Sequence, residues 1–506
     1  MGGGGRGTLT IYMRRVLTTP LEYSYMKNIR KFEMMADKDA AVLEEYSVSY
    51  VIETNKVYTT PENGGQSNVD YSTMYTTFEA LEDGTFSFTK NGTGDDIQYS
   101  KNNGSTWTSL ASGETVSVVT GDKVMWKYTI TPNYGIGTFS SSNKFNASGN
   151  IMSLLYSDDF NGQTSLEGKG NAFKHLFSNC KYLIDSSNLI LPPTTLVNAC
   201  YASMFQGCTS LTTAPELPAT TLVNNCYDGM FQGCTSLTAT PELPATTLAN
   251  YCYRYMFNDC TSLTTVPSIL PATTLEDCCY YMMFDGCTSL TTAPELPATT
   301  LAIWCYYYMF SGCENLTTAP SILPATTLKE CCYFSMFGGC TSLTTAPELP
   351  ATKLAKSCYG IMFSGCTSLT TAPELPATTL ATQCYDRMFA ACTSLTTAPE
   401  LPATTLATQC YKGMFSGCTS LTTAPELPAT TFVDYCYSDM FSGCINLNHI
   451  TMLATNGDTT STSYYLFNWV KGVSSTGTFV KHPDMTSLST GASGIPSGWT
   501  VEDAVL

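Results

Sequence analysis

Charge is what this chain most lacks. Only 13% of its 506 residues are charged, about half of the usual share of about 25%, so Thr and Ser must fill the polar positions. Histidine is scarcer still: His175, His449 and His482 are the only three, too few for a repeated histidine metal site, and no nucleophilic triad gathers around them. No apolar run reaches the roughly 18 residues of a spanning helix. The start, MGGGGRGTLTIYMRRVL, has no continuous apolar segment of the kind a secretory signal needs. These absences predict a soluble chain with no membrane insertion and no export address. Basic residues are outnumbered 24 to 41, for a net charge of −17. Such a surface repels phosphate backbones, which excludes nucleic acid as a partner. No glycine-rich phosphate loop opens a helix, and no cofactor or metal is expected.

Cysteine is absent up to residue 179 and again from 445 onward, yet 23 cysteines lie between. They obey one rule. Aligned on C-Y-x-x-M-F, the first cysteines fall at 200, 226, 252, 279, 305, 332, 358, 384, 410 and 436, a period of 26 twice stretched to 27. Each has a second cysteine eight residues on. Cys180 closes a degenerate first copy, AFKHLFSNC, and Cys278 and Cys331 stand outside the pattern. A fixed period of this length over ten copies predicts a solenoid whose units stack only on their neighbours.

Within one unit, TTLATQCYDRMFAACTSLTTAPELPA, an apolar residue recurs every fourth position at Leu380, Cys384, Met388 and Cys392. That spacing predicts a short helix-like rung, with Thr at its N-cap and the Gly before the second Cys, present in eight of the ten copies, as its stop. The following T-S-L-T-T suits a short strand that the two prolines end. Six apolar side chains cannot offset the ordering of 26 residues, so one unit alone should be unfolded and stability should depend on the array and its caps.

The pattern M-F-x-G-C-T-S-L with L-P-x-T-T-L upstream, running over about residues 172–447, resembles the BspA-type leucine-rich repeats of surface proteins from gut and oral bacteria and some of their phages. The resemblance implies a leucine-rich-repeat solenoid and a role in surface adhesion or recognition, with a host cell-surface glycan or protein as partner. Because no export signal is visible, it also implies a second possibility, a component of a phage virion. There the N-terminal region would contact other virion proteins. A purely structural spacer is the third.

On a helical rung, cysteines eight apart stand about 12 Å apart, beyond the roughly 7 Å limit between disulfide-linked α-carbons. Helical rungs would also hold neighbouring cysteines about 8 to 10 Å apart. That objection fails if the rungs are not helical and stack about 4.8 Å apart. Buried free thiols acting as small core hydrophobes are the expectation.

Length alone suggests about three domains. The chain divides into an N-terminal attachment region (1–75), a β-sandwich-like domain (76–165), an α+β solenoid of repeats (166–447) and a C-terminal cap (448–506). A helix is expected within LEYSYMKNIRKFEMMADKDAAVLEEY, after a flexible glycine-rich start. Segments such as GTFSFT and KVMWKYTI, separated by EDG, SGE and TGD turns, read as short strands. Among them, residues 100–107 resemble the Asp-box hairpin of sialidases, with Asn102 in place of the Asp. That motif is a structural turn, and one copy makes no enzyme.

No shared pocket of carboxylates is legible, so no catalytic residue is expected. The Glu of P-E-L-P forms a column read as a solvated ladder, with calcium capture as the sharper alternative, and Asp158, Asp159 and Asn161 read as a turn. The informative positions are those the repeat leaves free, beside the first Cys and after its Tyr. In the outer copies they are small or polar, as at Ala202, Ser203, Lys412 and Gly413. In the middle they become Tyr251, Arg254, Tyr255, Tyr281, Trp304, Tyr307, Tyr308 and Phe334. Aromatics at free repeat positions suit sugar rings or protein hot spots. The alternative is that they fill a groove or pack on a neighbouring subunit.

Overall fold

The computed structural model describes residues 69–91, 95–129, 135–192, 195–455 and 464–505. The helix expected near the N-terminus, the flexible start and nearly all of the attachment region lie outside the described residues.

Residues 69–190 hold two sheets. The larger runs β4 (Thr108–Leu110), β3 (Ile97–Ser100), β6 (Lys123–Lys127), β1 (Thr76–Ala80), β8 (Phe145–Asn150) and β9 (Leu183–Ile190), and the smaller runs β5 (Thr115–Val118), β2 (Gly84–Lys90) and β7 (Gly137–Ser141). Alternation of apolar and polar residues turns Phe78 of β1 toward Phe86 of β2 and Phe139 of β7, whose rings meet edge to face at 5.4 and 4.8 Å. All three rings are buried. Pairing is antiparallel except between β8 and β9, which run parallel. β9 lies beyond residue 166, so the large sheet continues into the repeats. The Asp-box-like segment is the β3–β4 hairpin. There Asn102 accepts from the Thr106 N–H at 2.9 Å, and the Ser100 hydroxyl accepts from the Gly104 N–H at 3.0 Å.

From Asn171 onward the chain forms rungs of another kind, and here the helical expectation is corrected. Among the described residues the one α-helix is the four-residue α1 (Ser153–Tyr156), and the repeats are built of successive turns. In one rung, Ala199, Ser203 and Gly207 have φ of 52°, 53° and 71°. A left-handed residue at every fourth position breaks a right-handed helix. Alternate N–H groups then take different partners. Those of Cys200, Ala202, Met204, Gln206 and Cys208 bond three residues back, while those of Tyr201, Ser203, Phe205 and Gly207 bond the next rung's carbonyls at Cys226, Asp228, Met230 and Gln232. Each rung is thus a row of turns hydrogen-bonded to its neighbour as strands are. The Gly before the second Cys is no helix stop: it takes the third left-handed position, filled without glycine at Asp259 and Ala391. Likewise the Thr expected at an N-cap caps nothing.

This backbone sets the core. The Cys and Tyr after the first left-handed position and the Met and Phe after the second point inward, and each stacks on its own kind. Tyrosines from Tyr201 to Tyr437 stack at 5.6–6.0 Å and phenylalanines from Phe177 to Phe441 at 5.3–5.8 Å, all within 12° of parallel. Met and both cysteine columns are equally buried. The second segment of each repeat gives isolated parallel bridges between equivalent threonines, such as Thr221 with Thr247 and Thr371 with Thr397, rather than full strands. Beyond the last cysteine, Tyr437, Asp439, Phe441 and Gly443 donate to Tyr465, Phe467, Trp469 and Lys471. A further rung therefore occupies residues 464–472, and the parallel sheet of β10 (His449–Met452), β11 (Thr478–Lys481) and β12 (Thr500–Asp503) is formed by strands on either side of it in the chain.

Candidate functional site

Rungs 5.3–6.0 Å apart remove the spacing argument against disulfides between neighbouring rungs. The thiols are nonetheless placed as thiols. Each second cysteine from Cys208 to Cys444 directs its Sγ at 3.0–3.1 Å to the carbonyl of a phenylalanine in the preceding rung, Phe177 for Cys208 and Phe415 for Cys444. Burial pushes the first-column thiols up as well, to about 12 at Cys200 and Cys252. Inert core thiols result. Cys278 and Cys331 lie outside both columns, and Cys331 is half-buried.

Among the described residues no three His, Cys, Asp or Glu side chains are arranged to hold a metal ion. The Asp158 carboxylate is occupied by the Lys127 ammonium at 2.9 Å to both oxygens and by the Tyr75 hydroxyl at 2.6 Å. In the P-E-L-P column, Glu295 accepts from the Ser321 hydroxyl at 3.0 Å.

All eight residues singled out from the sequence come together. They occupy three outward columns of four adjacent rungs: the first left-handed position, the residue after the buried Tyr, and the second left-handed position. Arg254 opens the row. Its guanidinium grips Asp228 of the preceding rung through two bonds of 3.0 and 2.7 Å and lies 4.8 and 5.5 Å from the ring centres of Tyr251 and Tyr255. Tyr255 meets Tyr281 edge on at 5.4 Å. Tyr281, Tyr307 and Phe334 then stack at 4.9 and 5.1 Å, both within 7° of parallel. Tyr308 leans on Tyr307 at 4.6 Å, and Trp304 stands edge to Tyr307 at 6.5 Å. Burial raises the Tyr307 hydroxyl to about 12, with Tyr308 beside it adding to the shift. The Tyr307 hydroxyl stays protonated and can donate as well as accept.

The stacking decides which rings are available. Tyr307 is covered on both faces, and Phe334 lies over Gly360, where an added Cβ would come within 2.7 Å of the ring. These rings show edges outward. Trp304, 42% exposed with Ile303 at 41% beside it, is the ring of the eight that stands clear. Sequence reasoning missed a second cluster in the same columns, Tyr435, Tyr464 and Phe467. Tyr435 was legible as an aromatic beside the first Cys of the tenth copy. The other two lay hidden because their rung has Tyr465 and Val473 where cysteines stand elsewhere.

The model of the BspA type leucine rich repeat region matches in six copies over residues 173–290 and 336–473, half of the chain. The chain belongs to the BspA-type leucine-rich-repeat family. The second matched stretch runs through the rung at 464–472, and the interval between the two holds Trp304, Tyr307, Tyr308 and Phe334. This BspA-type chain matches no curated protein. No helix among its described residues is long and apolar enough to cross a membrane.

Proposed function

We propose that this BspA-type chain is a non-enzymatic recognition protein. Its 26-residue units form one solenoid that displays a variable outer face to a glycan or protein on a host cell surface. One observation carries the reading: between copies, variation is concentrated in the outward columns, while the Cys, Tyr, Met and Phe columns repeat unchanged behind them. A spacer has no use for four adjacent rungs of aromatics on one face. Aromatic rings backed by a rigid array are low-entropy contact groups, the type that dominates binding energy. The chain is displayed on a bacterial surface or on a virion, and capsid and tail genes beside its own would decide for the virion.

Replacing Trp304, Tyr307 and Tyr308 together by Ala should abolish binding of the full chain to cultured epithelial and gut bacterial cells. The array, whose core columns these residues leave untouched, should keep its circular dichroism. Unchanged cell binding would remove the reading, and so would failure of the unaltered chain to bind any cell.

A further inference from the structure

The column that carries Trp304 continues through Cys331, Ser357, Gln383 and Gln409 to Tyr435 and Tyr464, the first left-handed position of successive rungs. Its far end repeats the arrangement of its middle. Tyr464 and Phe467 hold in the last rung the positions that Trp304 and Tyr307 hold six rungs earlier. Each pair meets edge to face, at 5.8 Å and 86° in the last rung and 6.5 Å and 61° in the middle. Tyr464 is 51% exposed and Phe467 44%. Tyr464 also stacks on Tyr435 at 5.4 Å. Six steps at the 5.3–6.0 Å ring spacing put the two clusters roughly 32 to 36 Å apart along the column.

The stretch between them is polar, and the ladder at its centre is uncharged. The Ser357 hydroxyl donates to Gln383 Oε1 at 3.3 Å, and Gln383 Nε2 donates to Gln409 Oε1 at 2.6 Å. Beside this ladder Asp386 pairs with Arg387 at 3.4 Å, and Lys412 lies 5.9 Å from the Tyr435 ring centre. A folded protein partner wants the opposite layout, an apolar centre inside a polar rim. Two aromatic platforms joined by an uncharged amide ladder match a long, thin ligand with apolar faces and many hydroxyls. Sugar rings in a linear chain also repeat at an interval close to the rung spacing.

We propose that residues 464–467, with Tyr435, form a second aromatic subsite. On this reading one linear chain of uncharged pyranose sugars lies along the column, gripped at Trp304 and at Tyr464 and Phe467 and hydrogen-bonded to Gln383 and Gln409 between. This rests on the recognition function proposed above and names the ligand class of that face. Two weak subsites on one polymer act at high effective concentration, so losing either should weaken the polymer more than any short oligosaccharide.

The test uses the full chain against immobilised mannan, galactan, xylan and β-glucan, with heparin as an anionic control, and against cells pretreated with periodate or protease. Binding to at least one neutral polysaccharide, insensitive to salt and lost from periodate-treated cells, is expected. Trp304→Ala, and separately the Tyr464→Ala, Phe467→Ala double variant, should each lower polymer affinity about tenfold or more. Tyr464→Phe should keep it, and the melting curves should not change. If the double variant binds as tightly as the unaltered chain, the second subsite is wrong although recognition at Trp304 stands. Cell binding that survives periodate but not protease would mean a protein ligand and overturn the proposal. Absence of all binding would remove both readings.

Discussion

The β region and the rungs bury aromatic rings in opposite ways. In residues 69–160 each ring meets unlike partners at steep angles: Phe78 touches Phe86, Trp126, Phe139 and Phe145 at interplanar angles of 47–77°. In the rungs each ring of the buried Tyr and Phe columns from Tyr201 to Tyr437 and Phe177 to Phe441 stacks on copies of itself within 12° of parallel. Phe177 is the junction, against Phe78 and Phe139 on one side and Phe205, at 5.3 Å and 7°, on the other. The first kind of core is a closed jigsaw in which every position is unique. The second is a translation, in which each residue depends on the two rungs beside it and the end must be covered. The β sheets supply that cover at the N-terminal end, since β9 and Phe177 belong to both.

The contrast should be sharpest in alkali. The β region has no cysteine, whereas the rungs bury two columns of them. Burial disfavours the thiolate, raising Cys200, Cys252, Cys305 and Cys358 from 9.0 to about 12 and others further. A folded-state pKa above the unfolded one gives stability that is complete below pH 9 and lost as pH climbs toward 12. Each such thiol costs about 1.4 kcal/mol per pH unit in that window. Summed over a cooperative block of rungs, this should unfold the array between about pH 9 and 11. Hydrogen exchange across a pH series should show the rungs opening while β1 and β6 stay protected. Stability that is flat to pH 11 would mean the columns are not free thiols.

Deleting one ring in each region tests the same difference at smaller scale. Phe310→Ala and Trp126→Ala each empty a fully buried site and should cost about 3–5 kcal/mol. The damage should spread differently. Phe310 touches Phe284 and Phe337 at 5.5 and 5.6 Å, so its loss should divide the array into two blocks that unfold at separate denaturant concentrations. Trp126 touches Phe78, Tyr99 and Phe139, so its loss should open the β region as a whole and leave distant rungs protected. A single unchanged transition in the Phe310 variant would show that the array does not behave as neighbour-coupled units.

Much of this was legible from the period alone. The 26-residue spacing fixed which residues share a column, and Cys, Tyr, Met and Phe declared themselves core by never varying. The conformation of the rung was not legible, because four-residue recurrence at Leu380, Cys384, Met388 and Cys392 imitates a helix. A true helical face advances by 3.6 residues, so a strict period of four drifts off it within three steps. Together with a glycine at the third left-handed position in eight of the ten copies, that was the available signal. The central aromatic cluster could be read from composition, but that Tyr307 stacks away both its faces depends on the rung spacing, which a helical rung would have made larger. The last rung escaped notice because Tyr465, Trp469 and Val473 stand where the repeats have Cys, Met and Cys, and only Gly472 kept its place.

The smallest effect separates the regions by their threonines. Thr76 in β1 is fully buried, bonding the Asn150 carbonyl and the Ser153 hydroxyl at 3.1 Å each. Thr264 in the array is exposed and donates to the Thr238 carbonyl at 3.2 Å, one of several such steps along the rungs. Val has nearly the same shape as Thr and removes only the hydroxyl. In the β region it strands the buried Asn150 carbonyl, while the Ser153 hydroxyl keeps the Trp126 carbonyl as its acceptor, so Thr76→Val should cost about 1–3 kcal/mol in denaturant titrations. In the array, water replaces the lost donor and the column closes over a single gap, so Thr264→Val should cost about 0.5 kcal/mol or less. Equal costs would mean that the threonine ladder carries stability step by step, and that the low charge of this surface is compensated by hydrogen bonds between rungs rather than merely tolerated.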